Sequence, residues 1–252
     1  LQSRDPVVAA ALGEALSAIE RRMVFVALRL GWTRDRDGRR APDHSAEALT
    51  GAIDAALART ELGRLDVAIL DTLDVEHLPA HVAPTLQAAQ DAGRVRMLGI
   101  AGGEGVEPHL DAGVFEVLET PFNLHSGWNE RNRIKRAVMA EMAIIGTDFY
   151  PFSRRQKDQP APAPGPLGLG RLLGGGGAKA PKIQDGPYAF LDRTPGWTGE
   201  EACLAFALTE PSITTVQTQT QDAAILQKLA ASVERDLPNG LSAQIEMARF
   251  SA

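Results

Sequence analysis

The sequence predicts an α/β protein built on a parallel sheet, and three observations carry that expectation. Six short apolar runs alternate with stretches whose apolar residues recur at helical spacing. No G-x-G-x-x-G turn follows the first run, so the feature that would favour a doubly wound open sheet over a (β/α) barrel is missing. The 252 residues are enough to bury a sizeable core, and a single domain over 1–252 is expected.

The elements follow in order. Val7, Val8, Ala11, Leu12, Leu16 and Ile19 approximate one helical stripe. VFVALRL (24–30) reads as the first strand, and the polar run TRDRDGRRAPDHS (33–45) as a loop. Ser45 suits the N-cap of a helix that reaches about Leu62 and stops at Gly63. LDVAILD (65–71) is a strand, His81 to Ala92 a helix stopped by Gly93, and RVRMLGIAG (94–102) a strand. A short helix near 108–112 precedes the strand FEVLETPF (115–122), a helix over 130–141 and the strand AIIGTDFYPF (143–152). Residues 154–196, rich in Pro and Gly, read as a surface loop that buries little and could act as a lid. A helix over 198–208, the strand SITTVQT (212–218) and helices over 222–233 and 242–249 complete the chain.

Composition narrows the function. A formal net charge of −6 argues against a nucleic-acid partner, because phosphate binding wants a basic face. No uninterrupted apolar run reaches membrane-spanning length, and no secretory leader is visible. Cys203, the one cysteine, reads as a small core residue, and the expected compartment is the reducing cytoplasm.

Ligands of parallel α/β folds meet the C-terminal ends of the strands. Those ends carry Arg29, Asp71, Ala101 with Gly102, Glu119, Phe149 with Tyr150, and Thr218 with Gln219. Side chains alternate along a strand, so an inward Arg29 brings Ala27 and Phe25 inward, Asp71 brings Ile69 and Val67, and Glu119 brings Val117. Three ionisable groups thus cap apolar rows, and Arg29 between Asp71 and Glu119 is the natural pairing. Two readings stand: a structural charge cluster, or a site in which Arg29 holds an anion or carbonyl oxygen while a carboxylate moves protons.

The order of segments resembles the aldo/keto reductase family from first helix to last. DPVVAAALGEAL with MVFVALRLGW is similar to the helix and strand that carry its catalytic Lys, and GRLDVAILDTLD to the stretch ending in its catalytic His. LQAAQDAGRVRMLGIAG is similar to the segment ending in a Ser-Asn pair, VFEVLETPFNL to the strand offering a Gln, and GTDFYPF to the strand with the aromatic that stacks on nicotinamide. TEPSITTVQTQTQDAAILQKLAA is similar to the last strand and helix, which bind the cofactor's phosphate and adenine. The resemblance implies a TIM-barrel-like (β/α) fold, of which about six of the eight strand–helix units are evident. It also implies an NAD(P)H-dependent carbonyl oxidoreductase acting on a small-molecule carbonyl substrate, with NADPH as cofactor.

The residues depart from that pattern. Arg29 stands at the Lys position, Asp71 at the His, Ala101 and Gly102 at the Ser-Asn pair, and Glu119 at the Gln. Phe149 keeps the aromatic, Gln217 and Thr218 replace a Pro-Gly, Thr220 replaces a basic residue, and Lys228 falls near an adenine-side Asn. The resemblance therefore assigns Arg29 and Asp71 to catalysis and Glu119, Phe149, Thr218 and Thr220 to the cofactor. The strand with the family's Asp and Tyr would precede Leu1, and its absence would leave sheet edges that invite self-association. Weak reductase activity or none is expected, and a non-catalytic barrel that binds a small molecule or a protein is the alternative.

Tyr150 is a substitute proton donor to weigh. Asp71, Asp74, His77 and His81 have metal-ligand chemistry, but Pro79 interrupts the spacing and no metal site is expected. His44, His109 and His125 fall in loops without evident partners, and no G-x-S-x-G elbow marks a serine nucleophile.

Overall fold

The computed structural model describes residues 6–34, 37, 39–71, 78–151, 186–220 and 222–250. Its contacts fall into two compact units, Leu1–Thr120 with Glu130–Ile145 and Pro121–Asn129 with Gly146–Ala252.

The first unit begins with α1 (Pro6–Ser17), β1 (Ala27–Leu30), and the antiparallel ribbon β2 (Trp32–Arg34) and β3 (Arg40–Pro42). Next come α2 (Ala46–Thr60), β4 (Leu65–Asp71), α3 (Val82–Asp91) and β5 (Val95–Ala101). A 3-10 helix (Glu104–Ala112) leads to β6 (Val117–Pro121), α4 (Trp128–Met139) and β7 (Ala143–Thr147). Strands β1, β4, β5 and β6 pair in parallel in that order. β7 joins them through Ala143 N–H, which donates to Glu116 O at 2.9 Å.

Parallel strands with crossover helices on the outer face are buried on both sides, and all seven residues of β4 are buried. The inward rows pack as one cluster of Val67, Ile69, Ala101 and Val117, with Ala27, Met97, Ala143 and Ile145 against it. Gly99 sits in the middle: a Cβ there would lie 3.0 Å from Ile69 Cγ1 and 3.3 Å from Val117 Cβ. Behind β6, the Arg133 guanidinium is buried and donates to Thr120 Oγ1 (3.2 Å) and Glu107 Oε1 (3.0 Å).

In the second unit, the end of β7 accepts at Gly146 O from Gln217 N–H (2.8 Å), which places β8 (Thr215–Val216) beside it and completes a six-stranded order β1-β4-β5-β6-β7-β8. A 3-10 helix (Ala189–Arg193) precedes α5 (Gly199–Leu208), and α6 (Ala223–Ser232) and α7 (Leu241–Arg249) follow β8. A capping box starts α5: Thr198 Oγ1 accepts from Glu201 N–H (3.2 Å) and Glu201 Oε2 accepts from Thr198 N–H (2.7 Å). The helix buries almost its whole surface, Cys203 included.

Several expectations need correction. β1 starts at Ala27 rather than Val24, because the Asp66 carboxylate takes the Val26 N–H (2.7 Å) and is itself held by Arg21 (2.7 Å). Phe25 lies outside the strand and is 55% exposed, so it is not part of the inward row. The loop expected at 33–45 contains the ribbon β2–β3, where Trp32 and Thr33 favour extended backbone. α2 ends at Thr60, where Glu61 itself takes the left-handed capping position (φ 53°), two residues before Gly63. β7 ends at Thr147, since Asp148 turns left-handed (φ 51°), so Phe149 and Tyr150 follow the strand. β8 is only two residues long and leaves Thr218 beyond it. Of the stretch 154–196, residues 154–185 lie outside the described residues. Residues 186–196 are ordered by Tyr188 and Leu191, both buried, because aromatic and aliphatic side chains return there.

Candidate active site at the strand ends

Register brings the ionisable strand ends together. Asp71 is level with Ala101 on β5, and Ala101 with Glu119 on β6. Arg29 is level with Ile69, one inward step behind Asp71. Parallel neighbours stand about 4.8 Å apart, so Asp71 and Glu119 face each other across one intervening strand. Ala101 fills that strand's place in the row with a methyl group only, which leaves room for a long side chain from β1.

The Arg29 guanidinium occupies this space. Its Nη2 lies 2.8 Å from Glu119 Oε1 and its Nε 3.7 Å from Asp71 Oδ2. The Asp71 and Glu119 side chains are 0% and 4% exposed, against 22% for Arg29. The Glu119 pair is the tight one; the Asp71 pair is an ion pair beyond hydrogen-bond range. The pairing expected from alternation is therefore present, with Arg29 as the bridge.

The backbone beyond β1 is tightly constrained. Gly31 adopts φ 96°, and a Cβ there would meet His44 Nε2 at 2.9 Å and Asp71 O at 3.0 Å. His44 Nε2 hydrogen-bonds Asp71 O (3.0 Å), and His81 Nε2 hydrogen-bonds His44 O (2.9 Å). His44 thus ties the segment before α2 to the end of β4, and His81 ties the start of α3 to that same segment. His44 and His125 have partners that sequence did not reveal, His125 standing edge-on to Tyr188 at 4.9 Å. Asp74 and His77 lie outside the described residues. Among the described residues, no group of three potential ligands could hold a metal, and no helix is long and apolar enough to cross a membrane.

The other assigned residues belong to the second unit. Phe149 and Tyr150 are buried. Burial, and then the neighbouring Cys203, Asp192 and Glu200, push the Tyr150 phenol well above its ordinary range. A phenol whose pKa is raised is a weaker acid and a poorer proton donor at neutral pH. Thr218 and Thr220 are half-buried, and Thr220 Oγ1 accepts from Asp222 N–H (3.1 Å). A groove of about 580 Å³, lined by Leu16, Ile19, Arg21, Arg59 and Leu62 among others, lies by the end of α2 and the start of β4, at the opposite end of the strand from Asp71.

The trio can do limited chemistry. An arginine does not trade protons, and ionised carboxylates only accept hydrogen bonds. Stabilising a new oxyanion would need donors aimed at it, whereas the guanidinium is already committed to two carboxylates.

Comparison with known proteins agrees with the sequence resemblance. Residues 7–108 match the aldo/keto reductase family model. An aldo-keto reductase from Bacillus halodurans in its holo form superposes with a TM-score of 0.72 at 14% identity, over 96% of this chain and 78% of that one. A glycerol dehydrogenase from Gluconobacter oxydans gives 0.70 at 14% identity, over 96% and 76%. An aldo-keto reductase of the silkworm Bombyx mori gives 0.65 at 12% identity, over 95% and 69%. No curated protein matches the sequence. The sequence match to that family thus covers residues 7–108, and the fold of nearly the whole chain is similar to that of solved aldo-keto reductases.

Proposed function

We propose that this protein is a divergent aldo/keto reductase relative whose strand-end site does not carry out carbonyl reduction, and that the fold serves small-molecule binding instead. The observation that supports this reading most is the Arg29 guanidinium bridging two buried carboxylates. At the family's positions, Lys and His tune a proton donor, and a neutral His offers a hydrogen bond to the developing alkoxide. Asp71 presents an acceptor there, and its charge opposes an oxyanion. Arg29 could stabilise an anion only by giving up its present ion pairs.

The family's nicotinamide cofactor would supply hydride when bound. The residues at its positions fit it poorly. Ala101 and Gly102 offer no side-chain donor to an amide, and Glu119 is taken up by Arg29. What these residues do is hold one another: Glu119 fixes the guanidinium, Asp71 neutralises its inner edge, and Ala101 leaves them room. Arg29 is the most exposed of the three, so an entering ligand meets its guanidinium first.

The test is NADPH consumption at 340 nm with a panel of aldehydes, ketones and sugars. Consumption no faster than without protein is expected. Turnover with kcat/KM of about 10⁴ M⁻¹s⁻¹ or more, the ordinary enzymatic range, would overturn the reading.

A further inference from the structure

The first turn of α6 presents backbone N–H groups of the kind that hold phosphate at a helix start. Here two of them are already taken. Asp222 Oδ1 accepts from Ala224 N–H (2.8 Å) and Ile225 N–H (3.4 Å), and Asp222 N–H donates to Thr220 Oγ1 (3.1 Å). The anion position is filled from within the chain.

Charge nearby works in the same direction. From Thr209 to Gln227 the sequence contains no Lys or Arg, while Asp222 at the helix start is acidic. The first cation after the helix start, Lys228, is exposed on the following turn. A phosphate arriving here would have to displace a carboxylate already bound to the same donors, and the stretch from Thr209 to Gln227 gives it no Lys or Arg to pair with.

We infer that the β8–α6 end rejects the phosphate of a phosphorylated dinucleotide, with Asp222 as the internal occupant of the anion position. NADPH then has no advantage over NADH in binding this protein. A chain that kept an aldo/keto reductase phosphate site would favour NADPH instead. The inference is independent of Arg29, because it concerns binding and not reduction.

Calorimetric and thermal-shift titrations with NADPH and NADH, each to 10-fold above about 1 mM, test it. Expected is either no saturation by both or equal affinity for the two. A paired variant, Asp222→Ser with Thr220→Arg, keeps a capping side chain and adds a phosphate partner. It should raise NADPH affinity at least about tenfold relative to NADH. Asp222→Glu, which keeps the charge, should not, and unchanged far-UV circular dichroism checks the fold of each variant.

Wild-type NADPH binding at least tenfold tighter than NADH would overturn the inference, and so would a paired variant that folds but shows no gain. NADPH that binds preferentially without being consumed would sink this inference and leave the proposed function standing. NADPH that is consumed with a carbonyl but shows no preference over NADH would do the reverse.

Discussion

Replacing Arg29 by methionine removes the guanidinium from between two carboxylates that are 0% and 4% exposed. Taking one partner from a buried pair costs about 3–5 kcal/mol, because the remaining charge stays out of water. Arg29 is 22% exposed and only the Glu119 contact is short, so the lower end, about 3 kcal/mol, applies. For a chain of this length a loss of that size lowers Tm by roughly 6 °C. Urea unfolding followed by circular dichroism at pH 7 measures it. Combining Arg29→Met with Asp71→Asn and Glu119→Gln should recover at least half of the loss, since amides carry no charge to strand. A loss from Arg29→Met below about 1 kcal/mol, the size of an exposed pair, would show that the carboxylates are solvated and the bridge does not close the site.

Three further outcomes are expected. A double-mutant cycle should give a larger coupling for Arg29 with Glu119 than with Asp71, because the contacts are 2.8 and 3.7 Å; equal or reversed couplings would contradict the geometry. Burial and the neighbouring Glu201 push the Glu200 carboxyl above its ordinary range, so the folded state holds that proton more tightly than the unfolded chain. Stability from this group is therefore lost as pH rises from the ordinary carboxylate value through the raised one, and Glu200→Gln should stabilise at pH 7 but have little effect at pH 4. Cys203 is fully buried and its thiol is pushed up, first by burial and then by Glu200 and Asp192, so it should resist thiol reagents until the protein unfolds; rapid labelling under native conditions would refute that placement.

The fold was largely legible because its causes are local. Alternation of apolar runs with helical stripes located all six sheet strands, and Ser45, Thr198 and Asp222 cap the helices that follow them. Inward alternation also placed Arg29, Asp71 and Glu119 on one side of the sheet and anticipated their pairing. What stayed hidden depends on contacts distant in sequence. Asp66 shortens β1 by taking the Val26 N–H from 40 positions away. His44 has its partner at Asp71 O, 27 positions on. The spacing role of Ala101 and Gly99 follows from strand register, although the small-residue run GIAGG in an otherwise bulky strand was a cue to it. The 3-10 helix at Ala189–Arg193 was obscured in the sequence by the Pro/Gly-rich stretch before it.

Arg29 is held between Asp71 and Glu119, and the guanidinium itself reports on it. Nitrogen-15 NMR of arginine-labelled protein distinguishes a held guanidinium from one that rotates freely about its Nε–Cζ bond. Separate Arg29 Nη signals with slow rotation are expected, merging when Glu119 is replaced by Gln. A single averaged Arg29 signal in the unaltered protein, indifferent to Glu119→Gln, would contradict it.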